Sequence, residues 1–193
     1  MNYQNSSLFS TDLSKNTILF NELLEETTAI AKDLLQDLAN NADFNTIFQT
    51  AFGNDINTEF LKESWTAGEF IFPEIEIVNR SQINNANGAF ARDTNKIYLA
   101  QEFLLANINN LNAVKDVVLE EYGHFVDSQL NVADAPGDEG AIFAALVQGE
   151  DLSESELQQL RSEDDSAVVV LDGEKVEIEQ DSNGTTTREP TTW

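Results

Sequence analysis

Apolar residues recur at three- and four-residue intervals near the start of the chain. Leu19, Leu23, Leu24, Ile30, Leu34, Leu35 and Leu38 keep that spacing, which predicts a helix from about Asn16 to Leu38, closed by Asn40-Asn41. Phe44, Ile47, Phe48 and Phe52 predict a second, shorter helix ended by Gly53, and a third is expected from about Asn57 to Ser64. These Phe and Leu stripes read as packing surfaces. The pattern then changes period. Ile75-Glu76-Ile77-Val78 alternates as a strand does, after Pro73. Gly88-Ala89-Phe90-Ala91 and Lys96-Ile97-Tyr98-Leu99 form two arms of a hairpin about the turn Arg92-Asp93-Thr94-Asn95. A short helix is expected from Gln101 to Ile108, and a strong one from Asn112 to Leu130. After a break at Pro136-Gly137, another helix is expected from Asp138 to Gln148, stopped by Gly149. Ser153 with Glu156 makes a capping box for the next helix. Finally Ala167–Leu171 and Lys175–Glu179 flank Asp172-Gly173, a strong hairpin signal.

The expected class is therefore α+β. Residues 1–15 are read as a flexible start and 16–180 as one domain, with a helical part (16–70), a motif-bearing part (71–165) and a β-hairpin (166–180). Residues 181–193 are read as a flexible tail. A chain of 193 residues with 12 Phe can bury a real core. Its formal net charge of −25 is unfavourable for nucleic acid and anionic membranes, and favourable for divalent cations or basic peptides. The plain alternative is that the charge serves solubility. Cysteine is absent, so neither disulfides nor thiolate zinc sites are available. Met1 to Ser7 has no basic region and no apolar core, unlike a Sec-type signal. The location expected is extracellular by a signal-free route, in preference to the cytoplasm.

Chemistry concentrates in Leu119-Glu120-Glu121-Tyr122-Gly123-His124-Phe125-Val126-Asp127. This segment resembles the zincin signature H-E-x-x-H, in which residues at i and i+4 of one helix share a metal and the residue at i+1 holds a carboxylate against metal-bound water. Glu121 and His124 fit that pattern, with Glu121 as candidate general base, while Glu120 stands where the first histidine belongs. At about 100° per residue, Val114, Val118, Leu119, Tyr122, Phe125 and Val126 form one apolar stripe, with Glu120 and His124 beside it and Asp116 and Asp127 close by. That arrangement suits a cleft wall, and equally the margin of a solvated face. In the following helix, Glu139 shares a face with Ile142, Phe143, Leu146 and Val147, so its carboxylate points inward and needs a partner. Stabilisation of Asp138 and Glu139 by the helix N-terminus is the alternative to metal ligation.

The order of elements extends the resemblance. Gluzincin-type peptidases follow the motif helix with a second helix bearing a glutamate ligand, and precede it with an edge strand that binds substrate backbone. Gly88–Leu99 and Glu139 occupy those places here. The runs Asn95–Leu99, Glu120–Asp127 and Pro136–Phe143 resemble modules of large secreted cyanobacterial calcium-binding-type proteins. The resemblance implies a zincin-like fold with an edge hairpin, substrate backbone bound at Gly88, Ala89 and Phe90, and metal held by Glu120, His124 and Glu139, or by a subset with Asp138 or Asp134.

The chain has one histidine, which excludes a two-histidine zinc site. Carboxylate donors shift the metal from zinc toward manganese or iron, with calcium also open, and weaken it as a Lewis acid. For His124 the ordinary alternative is a helix histidine bonded to a neighbour. Glu120 and Glu121 are adjacent and so diverge on a helix, which excludes a glycosidase pair. Two readings follow. In one, the chain is a metal-dependent peptidase or amide hydrolase acting on a peptide or protein. In the other it is a non-catalytic, acidic, secreted binding or leader module on the same fold.

Overall fold

The computed structural model describes residues 6–132 and 137–180, with side chains described from residue 16 onward. The chain is α+β, as its two hydrophobic periods require. It begins with α1 (Ser6–Ala39), α2 (Phe44–Phe52) and α3 (Glu59–Thr66). Helical backbone in α1 starts well before Asn16: with no Gly or Pro between Ser6 and Ala39, elongation from a packed segment meets no barrier. Then come β1 (Glu74–Val78), a short 3₁₀ turn, β2 (Gly88–Ala91) and β3 (Lys96–Ala100). The helices α4 (Gln101–Ala106), α5 (Leu111–Leu130), α6 (Glu139–Val147) and α7 (Glu154–Leu160) follow. The hairpin β4 (Ser166–Leu171) and β5 (Glu174–Gln180) comes last, with Asp172 at φ 51° and Gly173 at φ 85° making the tight turn.

The strands make one mixed sheet in the order β1-β3-β2-β5-β4. β1 runs parallel to β3, with Ile75 opposite Ile97, and the remaining pairs are antiparallel. This order corrects the expected edge hairpin: β2 lies between β3 and β5, with Ala89 opposite Tyr98 on one side and Gln180 on the other. The terminal hairpin, which looked self-contained in sequence, inserts beside β2 and closes that edge.

α5 is the axis of the molecule. It packs on β2 and β3, and Phe125 meets Phe90 edge-on at 6.0 Å. α1 and α6 pack against α5, α2 against α6, and α3 against α1. The Phe stripe of α2 builds an aromatic core as its spacing implied. Phe48 lies 4.5 Å from Phe44, 5.7 Å from Trp65 and 5.7 Å from Phe143 of α6. From Glu121 to Asp127 every residue of α5 is buried, polar ones included. Asp127, read from sequence as part of a solvated margin, is enclosed and paired with Arg92 at 3.2 Å.

The α5–α6 crossing depends on two glycines. A Cβ on Gly123 would stand 2.8 Å from Gly140 Cα, and one on Gly140 would stand 2.5 Å from His124 Nε2. Backbone therefore touches backbone, and the start of α6 is drawn onto the imidazole. Gly123→Ala is expected to force the helices apart and cost about 1–3 kcal/mol, the usual range for overpacking. Urea denaturation of the two proteins checks this, and an unchanged midpoint would show that the crossing is not tight.

Candidate metal site

The site is built on α5 because one helical turn separates Glu120, Glu121 and His124, and the close crossing brings Asp138 and Glu139 to meet them. His124 is completely buried. Its Nδ1 lies 2.9 Å from Glu139 Oε1 and 3.3 Å from Glu179 Oε2. Its Nε2 lies 3.6 Å from Asp165 Oδ2 and 4.0 Å from Asp138 Oδ1. Asp138 also caps α6, accepting a hydrogen bond from the Ala141 amide at 2.8 Å. Asp138 thus serves the helix terminus, while Glu139 turns inward to the imidazole. Glu121 is fully enclosed as well. Its carboxylate lies over β2, where a Cβ on Gly88 would meet Glu121 Oε1 at 2.6 Å and Val117 Cγ1 at 2.6 Å.

Two sets of donors converge on this imidazole. Glu120, His124 and Asp138 form one, and His124, Glu139 and Asp165 the other, the atoms of each lying within 4.8 Å of one another. The site thus contains His/Glu/Asp groups close enough to bind a metal ion. Glu120, His124 and Glu139, the trio expected from sequence, are all present but fall into different sets. Asp134 lies outside the described residues. Asp165 and Glu179 were missed, because no spacing rule links a residue beside the terminal hairpin to a helix about forty residues earlier. The adjacent acids Asp164-Asp165 before β4 were the one available hint.

The substrate-binding residues inferred from the resemblance sit elsewhere than expected. Gly88, Ala89 and Phe90 belong to an interior strand, and Ala89 and Phe90 are completely buried. They have no open edge on which to pair a peptide, since β5 already occupies it.

The electrostatics of the cluster are lopsided. Among the described residues, Asp138, Glu139, Asp165 and Glu179 pair with no lysine or arginine, and His124 is their shared cationic partner. His124 Nε2, Asp138 Oδ2, Glu139 Oε2, Asp165 Oδ2 and Glu179 Oε2 are enclosed without a hydrogen-bond partner there. Burial alone pulls the His124 pKa down, but the charge and hydrogen bond of Glu139, the nearby carboxylate of Glu179 and the charge of Glu121 outweigh it and hold it well above the ordinary value. Burial pushes Asp138 up to about 6 and Asp165 up to about 7, with the charge of His124 opposing in each case.

These groups share one sign of pH dependence. A pKa raised by folding stabilises the protein fully below the unfolded value and loses that contribution as pH rises through the folded one. For Asp138 and Asp165 the loss centres on pH 6 and 7, and for His124 it lies above the ordinary histidine range. Metal-free protein is therefore expected to unfold at lower urea in EDTA at pH 8 than at pH 5. A midpoint that rises with pH would contradict this electrostatic picture.

No protein-family model, no curated protein and no solved structure matches the chain. Function must therefore be argued from the chemistry of the site.

Proposed function

We propose that the chain is a non-catalytic module whose buried core holds one divalent cation at His124. The observation that carries this is the group of enclosed, unpartnered donor atoms around a single imidazole. An uncompensated buried carboxylate costs several kcal/mol, so such a group calls for protons or a cation. The donors also fit an ion in reach. Two ligands on one metal lie at most about 4.2 Å apart, twice a bond of about 2.1 Å. Nε2 to Asp165 at 3.6 Å and Nε2 to Asp138 at 4.0 Å both satisfy that limit. On the opposite nitrogen, Glu139 and Glu179 are placed to accept the Nδ1–H bond, the arrangement that fixes a ligating histidine's tautomer and raises its basicity. In this reading His124 holds the ion, with Asp165 or Asp138 beside Nε2, Glu120 as a further donor on the Asp138 side, and Glu139 orienting the imidazole. One nitrogen among oxygens favours manganese, iron or zinc over calcium.

Burial supports a structural role for the ion. Glu121 and His124 have no exposed surface, and the strand that would receive substrate backbone is interior. The hydrolase reading keeps one observation in its favour: Glu121 stands one turn before His124, close enough for its charge to act on the imidazole. The succession of β2–β3, motif helix and inward-facing acid also supports placing the chain beside the zincin-like folds.

Elemental analysis of the purified protein should find one first-row divalent ion per chain, lost in both His124→Ala and Asp165→Asn. Saturating Mn²⁺ or Zn²⁺ should stabilise the wild type by about 2.7 kcal/mol at one hundred times its Kd, with little response to calcium. A metal-free protein that none of these ions stabilises would refute the site. Peptide cleavage that depends on Glu121 would transfer the function to the hydrolase reading.

A further inference from the structure

The donors around His124 come from two separate parts of the chain. Glu120, Glu121, His124, Asp138 and Glu139 belong to the α5–α6 crossing. Asp165 and Glu179 belong to the terminal hairpin, one immediately before β4 and the other near the end of β5. Among the described residues, the seam joining this hairpin to the rest of the sheet is short. β5 aligns with β2 at Ala89↔Gln180 and Phe90↔Glu179, whereas β4 and β5 align with each other over six pairs from Ser166↔Glu179 to Leu171↔Glu174. The Gln180 amide donates to the Asp165 carbonyl at 3.1 Å, so both acids sit at the base of one hydrogen-bonded unit. That unit buries few side chains of its own: Leu171, Val176 and Ile178 are enclosed, while Val168 and Val170 face solvent.

The charges lie across this seam. Asp165 and Glu179 on the hairpin face Asp138 and Glu139 on α6 across one imidazole ring. Without a cation, like charges in a medium of low dielectric push the hairpin away from α6. With a cation between them, the same four carboxylates pull the hairpin in. A concentrated group of buried charges therefore acts across the shortest seam of the sheet among the described residues.

We propose that the cation is a latch: bound at His124, it fastens the terminal β-hairpin onto β2, and its removal releases the hairpin and uncovers the β2 edge. This rests on the metal-site reading above and adds a regulatory consequence to it. The released state presents the backbone of Ala89 and Phe90 as an open row of donors and acceptors and admits water to His124 and Glu121. The hairpin stays paired internally, and α1 to α3, which supply no donors, stay folded. Cation concentration then selects between a closed sheet and one with a free interior edge.

Hydrogen exchange read by mass spectrometry on the full chain tests this, in EDTA and in MnCl₂, alongside equilibrium dialysis of Mn²⁺. In EDTA, amides of residues 88–91 that face β5 should exchange far faster than those of α1 and α2, while those that join β4 to β5 stay slow. Mn²⁺ at one hundred times its Kd should slow residues 88–91 about one hundredfold, because only the closed state binds the ion. The double variant Asp165→Asn, Glu179→Gln removes the hairpin's anions, and should exchange slowly at 88–91 even in EDTA with little further effect of Mn²⁺. If Mn²⁺ does not bind, the metal site fails and the latch fails with it. If one Mn²⁺ binds per chain while exchange at 88–91 is unchanged, the latch alone fails. It also fails if Mn²⁺ slows exchange equally throughout α1 and α2, since the ion would then govern global folding, or if the double variant opens in EDTA as readily as the wild type.

Discussion

Where α5 crosses α6, Gly123 lies against Gly140 with no side chain between them, and the missing atoms are filled by His124. That approach sets the positions of Asp138 and Glu139, because both lie in the first residues of α6 and are carried in by the same contact. It also leaves the imidazole no route to solvent. The central helix must then accommodate a polar group in a place reserved for packing, and the rest of the site is a response to that constraint. The terminal hairpin brings Asp165 and Glu179 to the remaining sides of the ring.

Such an environment has an unusual balance. Buried carboxylates are ordinarily matched to arginine or lysine, as Asp127 is to Arg92. Around His124 the buried acids outnumber the one imidazole that faces them, and burying such acids without positive charge is costly. The acids around the ring hold the His124 pKa up, burial raises those of Asp138 and Asp165, and several donor atoms there are enclosed without a hydrogen-bond partner.

The position of β2 departs from the edge strand that the motif's resemblance implied. β5 pairs with β2 at Ala89 and Phe90, and Glu121 is packed against Gly88. The chain carries ten basic residues against thirty-five acidic ones, so acidic groups dominate its charge. No helix among the described residues is long and apolar enough to cross a membrane.

Local pattern was enough for much of this. The spacing of Leu and Phe located α1 and α2, alternation located β1, the Arg92–Asn95 turn and Asp172-Gly173 located the hairpins, and Ser153 with Glu156 located the start of α7. The i, i+4 relation of Glu120 to His124 and the inward face of Glu139 are likewise properties of a helix, so the core of the site could be named from sequence. Three things could not. The burial of Asp127 depends on the stretch Glu121–Asp127 of α5 being enclosed by other elements. The interior place of β2 depends on a strand nearly ninety residues later. The roles of Asp165 and Glu179 depend on that same pairing. Helical and strand periodicity encode which way a side chain points from its own element. What stands opposite is decided when distant elements pack, and for His124 that means a ring of acids drawn from α5, the start of α6 and the final hairpin.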